Sequence, residues 1–191
     1  MGGGDKPLIA LGGRTLLDHV RERLAPQCEE VILNANGDAR RFAETGLDVV
    51  PDSLPNHPGP LAGILSALDW AAAHRPSIPW IVTVPGDTPF IPGDLVSRLH
   101  EAREAEGRPL ACASSGAHVH YTVGLWPISL RQDLHYALTV RGMRSVRDWT
   151  RLHGAAEASW PSEPLDPFFN VNTPDELARA GTLVEQYRDR L

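Results

Sequence analysis

The chain has 191 residues, with 18 Lys and Arg against 24 Asp and Glu and a net charge of −6. With 42% hydrophobic and 22% charged residues, it has the makeup of one folded domain spanning 1–191, not of a disordered or fibrous chain. The acidic balance argues against non-specific nucleic-acid binding, which needs clustered Lys and Arg, but leaves room for a local cationic pocket.

Cys28 and Cys112 form no CxxC pair and read as small apolar core residues suited to a reducing compartment. No apolar run reaches the length of a membrane span, and the N-terminus lacks a signal-peptide core. The expectation is a cytoplasmic protein with no membrane or nucleic-acid partner.

In chain order, Thr15 caps a helix carrying Leu16, Leu17, Val20 and Leu24 at helical spacing. Val31-Ile32-Leu33 reads as a strand ending in the turn formers Asn34 to Gly37, and Asp38 as the cap of a helix towards Glu44. Residues 47–50 form another strand, and Leu61, Ile64, Leu65, Leu68 and Ala72 mark a helix running to about His74. Trp80 to Val84 is nearly continuous in apolar and β-branched residues, as in a strand covered on both faces. A helix from about Gly93 to Glu106 follows, then strands over 110–114 and 122–126. Two helices are expected over 129–140 and 145–153. Thr173 and Glu176 make a capping box, with Pro174 at the first position of a C-terminal helix reaching close to Leu191. Strands and helices alternating in this way predict one α/β domain with a mostly parallel sheet.

In such a sheet, ligands bind beyond the carboxyl ends of the strands. The loops there are Asn34-Ala35-Asn36, Pro51-Asp52-Ser53, Pro85-Gly86-Asp87-Thr88-Pro89 and, after an expected last strand, Asn170-Val171-Asn172-Thr173. Asp87 is the sharpest position: a carboxylate just past a buried strand can hold Mg²⁺, or it can cap a turn, as Asp-Thr-Pro often does. Gly2-Gly3-Gly4-Asp5-Lys6 is either the end of a phosphate-cradling loop or a loose tail. The segment from Asn56 to Gly63 leads a loop into a helix N-terminus. There Gly63 costs about 1 kcal/mol against Ala and asks for a packing or ligand reason. His118 and His120 read as a surface pair, too few for a metal site. Arg141, Arg144 and Arg147, at i, i+3 and i+6, read as an anion-binding or simply solvated helix face.

Taken together and in order, six segments resemble the bacterial molybdenum cofactor guanylyltransferases over nearly the whole chain. They are Met1 to Leu8, Val31 to Asn36, Asp52-Ser53, Gly59-Pro60-Leu61-Ala62-Gly63-Ile64, Pro85 to Phe90 and Phe169 to Leu177. The resemblance implies a Rossmann-like nucleotidyltransferase fold and Mg²⁺-dependent transfer of GMP from GTP to molybdopterin, with release of pyrophosphate. By the same resemblance, Lys6 and Asp87 serve catalysis, Lys6 on the phosphates and Asp87 on Mg²⁺. Asn34, Asp52, Gly59, Pro60, Leu61 and Gly63 bind the nucleotide, and Arg144, Asn170 and Asn172 the pterin. Molybdoenzyme chaperones and other proteins of the same synthesis are the implied partners.

A cytidylyltransferase acting on the same pterin is the near alternative, and a non-catalytic pterin- or partner-binding module the more distant one. The sequence departs from the family's pattern in two places. The family has a first strand, expected near the middle of the sheet, and a Leu-Ala-Gly-Gly loop ahead of the position of Met1. The expectation is therefore a domain lacking that strand and the first half of the glycine loop, and binding GTP poorly. Tyr121 also stands after His120 where many relatives have Pro.

Overall fold

The computed structural model describes residues 5–54 and 59–186. The glycine run at 2–4, the segment Asn56-His57-Pro58 and residues 187–191, over which the C-terminal helix was expected to continue, lie outside them.

Lys6–Leu8 forms a short 3-10 turn, followed by a small antiparallel ladder of β1 (Ala10–Leu11) and β2 (Arg14–Thr15). Gly12 and Gly13, both at positive φ, make the turn between them. Helix α1 (Leu16–Leu24) starts from a full capping box. The amide of Asp18 donates to Thr15 Oγ1 (3.0 Å) and the amide of Thr15 to Asp18 Oδ2 (3.0 Å). Strands β3 (Ile32–Asn34) and β4 (Asp48–Val50) pair in parallel. Their crossover is a 3-10 segment, Ala39–Thr45, where a helix was expected; Asp38 caps it and Gly46, at positive φ, ends it.

Next come α2 (Pro60–His74), β5 (Trp80–Thr83), α3 (Leu95–Ala105), β6 (Ala111–Ser115) and β7 (His118–Pro127). The chain ends with α4 (Arg131–Thr139), α5 (Val146–His153), β8 (Ala156–Trp160) and α6 (Pro174–Gln186). At α6, Glu176 Oε2 accepts from the amides of Asn172 (2.8 Å) and Thr173 (2.9 Å), completing the expected cap.

The main sheet has the order β5-β7-β6-β8. It is mixed rather than mostly parallel. β7 folds straight back from β6 through Gly116 and Ala117, so it runs antiparallel to both β6 and β5, while β8 is parallel to β6. β8 itself was not expected. The strand anticipated just before Asn170 is not formed, and the chain between Trp160 and Pro174 is irregular.

The two faces of this sheet carry separate cores. Val20, Leu24, Leu95, Leu99 and Phe168 pack on one face, and Leu61, Leu65, Leu68, Trp126, Leu134 and Trp149 on the other. Burying each such side chain contributes about 1.5–3 kcal/mol. The pair β3–β4 shares no ladder with the four-stranded sheet. β5, expected to be covered on both faces, is accordingly half-buried along its whole length.

Candidate active site

The carboxyl ends of β3, β4 and β5 surround a cavity of about 430 Å³. Asn34, Asp52, Gly59, Pro60 and Gly63, all expected to bind nucleotide, line it together with Pro7 and Gly86. Asn34 Nδ2 donates to Val50 O (3.0 Å) and Asp52 Oδ1 (3.1 Å). Asn36 Nδ2 donates to Asp52 Oδ2 (2.7 Å), and the amide of Asp52 returns a bond to Asn36 Oδ1 (2.8 Å). Two carboxamides and one carboxylate thus lock the ends of β3 and β4 together. Their role for Asn36 was not anticipated, although it lies in the flagged turn.

Gly63 has the packing reason that its place inside a helix demands. A Cβ there would collide with Asn34 Oδ1, so only glycine lets α2 approach the carboxamide. Leu61 does not line the cavity: its side chain is turned into the core beside Leu65 and Trp126. Two residues, about 200° around the helix, separate these two fates, so positions 61 and 63 face nearly opposite sides of α2.

A second group lies past the end of β5. Lys6 Nζ donates to Asn172 Oδ1 (3.1 Å). Thr88, fully buried, donates from its hydroxyl to Asn170 Oδ1 (2.6 Å), and the amide of Val171 donates to Asp87 O (2.9 Å). The Asn170–Asn172 segment is therefore stitched to the Asp87 loop and to Lys6, joining positions assigned to opposite substrates. Burial pushes the Asp87 carboxyl above the usual carboxylate range; its own backbone and Lys6 work against that rise, and Glu176 adds to it. Such a carboxylate gains from a nearby cation. Among the described residues, no group of three His, Cys, Asp or Glu side chains could hold a metal by itself. A single carboxylate suits Mg²⁺, which keeps most of its shell as water and substrate phosphate.

Arg144 is not joined to either group. It is exposed in the loop between α4 and α5 and donates to Met143 O (3.5 Å). Gly142, at positive φ, breaks the chain here, so Arg141 and Arg144 precede α5 and share no helix face with Arg147. His120 is no surface histidine. Its Nε2 lies 2.7 Å from Ser115 Oγ, and its ring packs on Phe168 with centroids 4.8 Å apart. Burial lowers its pKa and favours the neutral ring. His118, beside it, is exposed as expected.

The model of the MobA-like NTP transferase domain matches residues 1–156. The chain belongs to that family. It is 54% identical over 183 residues to a molybdenum cofactor guanylyltransferase of Bradyrhizobium, covering 96% of this chain and 86% of the relative. The enzyme of the same name from Nitrobacter hamburgensis is 52% identical, with 96% and 88% covered.

Two solved structures share the fold of this MobA-like chain. Molybdopterin-guanine dinucleotide biosynthesis protein A from Archaeoglobus fulgidus has a TM-score of 0.71 at 21% identity, covering 96% of this chain and 92% of the other. The 2-C-methyl-D-erythritol 4-phosphate cytidylyltransferase from Thermus thermophilus reaches 0.70 at 19%, covering 96% and 95%. Among the described residues, no helix is long and apolar enough to cross a membrane.

Proposed function

We propose that this MobA-like protein is a molybdenum cofactor guanylyltransferase, transferring GMP from GTP to molybdopterin. The supporting observation is identity of about half with relatives of that name across 96% of the chain. A terminal phosphate oxygen of molybdopterin attacks the α-phosphorus of GTP. A new P–O bond forms, and the bond from the α-phosphorus to the bridging oxygen breaks. Pyrophosphate departs with that electron pair, and a pyrophosphate bridge joins pterin to GMP.

The side chains divide this work. Asn34, Asp52 and the open backbone at Gly59, Pro60 and Gly63 hold the nucleoside, while Asn170 and Asn172 face the pterin. Lys6, already anchored on Asn172, brings a positive charge to the phosphates. Asp87 holds Mg²⁺, which supplies charge neutralisation at the phosphate oxygens when bound. Holding both substrates in line supplies much of the rate. No covalent enzyme intermediate is needed, and burial pushes the Cys28 and Cys112 thiols up to about 11 and about 12, far from nucleophilic. The protein acts in the cytoplasm and hands its product to molybdoenzymes or their chaperones.

Competition between GTP and CTP for transfer to molybdopterin tests the nucleotide assignment. GTP is expected to be used at least about tenfold better, a difference of about 1.4 kcal/mol in the transition state. Equal use, or preference for CTP, would mean a cytidylyltransferase.

A further inference from the structure

The ladder between β6 and β7 is interrupted near the edge of the sheet that carries the site. Cys112 stands opposite Gly124, but its neighbour Ala113 stands opposite His120 where Val123 would have continued the ladder. The slip from 123 to 120 is odd, so it turns the later side chains of β7 to the other face. Val123 and Leu125 belong to the core of Leu95 and Leu99, and by plain alternation Tyr121 and Val119 would follow them. Instead, those two pack on the opposite face, with Leu61 and Trp149, and His120 comes round to the first.

What His120 meets there is Phe168, the buried plug of a stretch, 161–173, that contains neither strand nor helix. The two rings pack with centroids 4.8 Å apart, and His120 Nε2 lies 2.7 Å from the hydroxyl of buried Ser115. Trp160 meets Phe168 edge-on at 5.3 Å and is itself tied to Asp94 through its indole N–H (2.9 Å). The amides of Phe168 and Phe169 donate to Asp166 Oδ1 (2.9 Å) and Asp166 O (3.2 Å), folding the stretch into a turn. The position of the Phe168 ring is thereby passed on to Asn170, two residues further along. β5 and β6 run antiparallel to β7, and β8 runs parallel to β6. Ser115, Trp160 and the Asp87 loop therefore share one edge of the sheet.

We propose that His120 is a positioning residue for the pterin side. Turned by the bulge and fixed by Ser115, it braces Phe168 and so sets Asn170 and Asn172 for molybdopterin without touching the substrate. The proposal rests on the reading of those two asparagines as pterin residues and adds a third position to it. Histidine combines the two features the place requires. Its flat ring packs on Phe168, and a ring nitrogen fixes its rotation by bonding a hydroxyl that is closed off from water.

His120→Ala and the milder Ser115→Ala, made in the full chain, test the brace in two measurements. In the first, the side-chain amide signals of Asn34, Asn36, Asn170 and Asn172 are followed by NMR without substrates. Those of Asn170 and Asn172 should shift or broaden in both variants, while those of Asn34 and Asn36, at the end of β3, should stay. In the second, molybdopterin and GTP are titrated separately. His120→Ala should weaken molybdopterin binding by about tenfold or more and Ser115→Ala by about threefold, with GTP changed less than about twofold. His120→Phe should match Ser115→Ala, since both keep a ring on Phe168 and lose only the bond. These two variants carry the comparison if His120→Ala does not fold. Unmoved Asn170 and Asn172 signals in the folded variants overturn the proposal, as do equal losses for GTP and molybdopterin, which mark a general loosening. Moved signals with molybdopterin affinity unchanged, or an unchanged chain that binds no molybdopterin, would instead fail the reading of those asparagines as pterin residues, and the proposal with it.

Discussion

Two residues carry most of the local argument, and each has a consequence that can be measured. Asp87 has its carboxyl raised by burial, so the folded state prefers the protonated form more than the unfolded chain does. That preference is fully present below the unfolded pKa of about 3.9 and is lost as pH rises through the higher folded value. At neutral pH, Asp87→Asn should therefore raise the Tm of the ligand-free protein, with the gain vanishing in acid, while transfer activity falls at least about a hundredfold. A Tm lowered at neutral pH, or activity retained at limiting Mg²⁺, would remove Asp87 from the proposed role. Gly63→Ala replaces a poor helix former, an intrinsic gain of about 1 kcal/mol, but drives a methyl group into Asn34. The clash costs about 1–3 kcal/mol and should unseat the Asn34–Asp52 bond. Nucleotide affinity should drop several-fold even where thermal unfolding shows little change.

At the scale of elements, the sequence was legible wherever chemistry and periodicity coincided. The Thr15 cap was read from one residue and the Thr173 cap from its spacing to Glu176, and α2 ends at His74 as its apolar spacing indicates. Thr15→Ala should cost about 1 kcal/mol in chemical denaturation, since it leaves the Asp18 amide without its partner. The α6 cap adds a pH dependence. The amide of Asn172 leads the bonds that hold the Glu176 carboxyl below its usual range. Its stabilisation is present above the unfolded carboxylate value and disappears as pH falls through the lower folded one. Over roughly pH 5 to 3, Glu176→Gln should flatten the fall in Tm compared with the unchanged chain.

What was missed at this scale had weaker signals. β8 alternates strictly, with Ala156, Ala158 and Trp160 buried and Glu157 and Ser159 exposed. Two of its three inward residues are alanines, which carry little strand preference. The 3-10 crossover after Asp38 has the cap of a helix, but Gly46 closes it within two turns. His120 looked solvated because the residue it bonds, Ser115, lies diagonally across the β6–β7 hairpin, opposite His118, a contact that linear spacing does not display.

For the molecule as a whole, the placement of loops was more legible than the pairing of strands. Chemistry-bearing residues stood at strand ends in the sequence, and the structure gathers Asn34, Asp52 and Gly63 around one cavity and Lys6, Asp87, Asn170 and Asn172 around the next strand end. The direction of β7 was not legible, because a two-residue hairpin and a longer crossover leave the same apolar pattern in the strand they feed. Among the described residues β3 and β5 belong to separate sheets, and the cavity lined by Asn34, Asp52 and Gly63 lies between them.

The most direct test of the whole account is the identity of the products. Protein, GTP, Mg²⁺ and molybdopterin are incubated together, and the pterin is weighed by mass spectrometry while pyrophosphate and inorganic phosphate are counted. The account predicts a pterin heavier by one GMP unit, with one pyrophosphate released for each. GDP and inorganic phosphate, with the pterin unchanged, would contradict it.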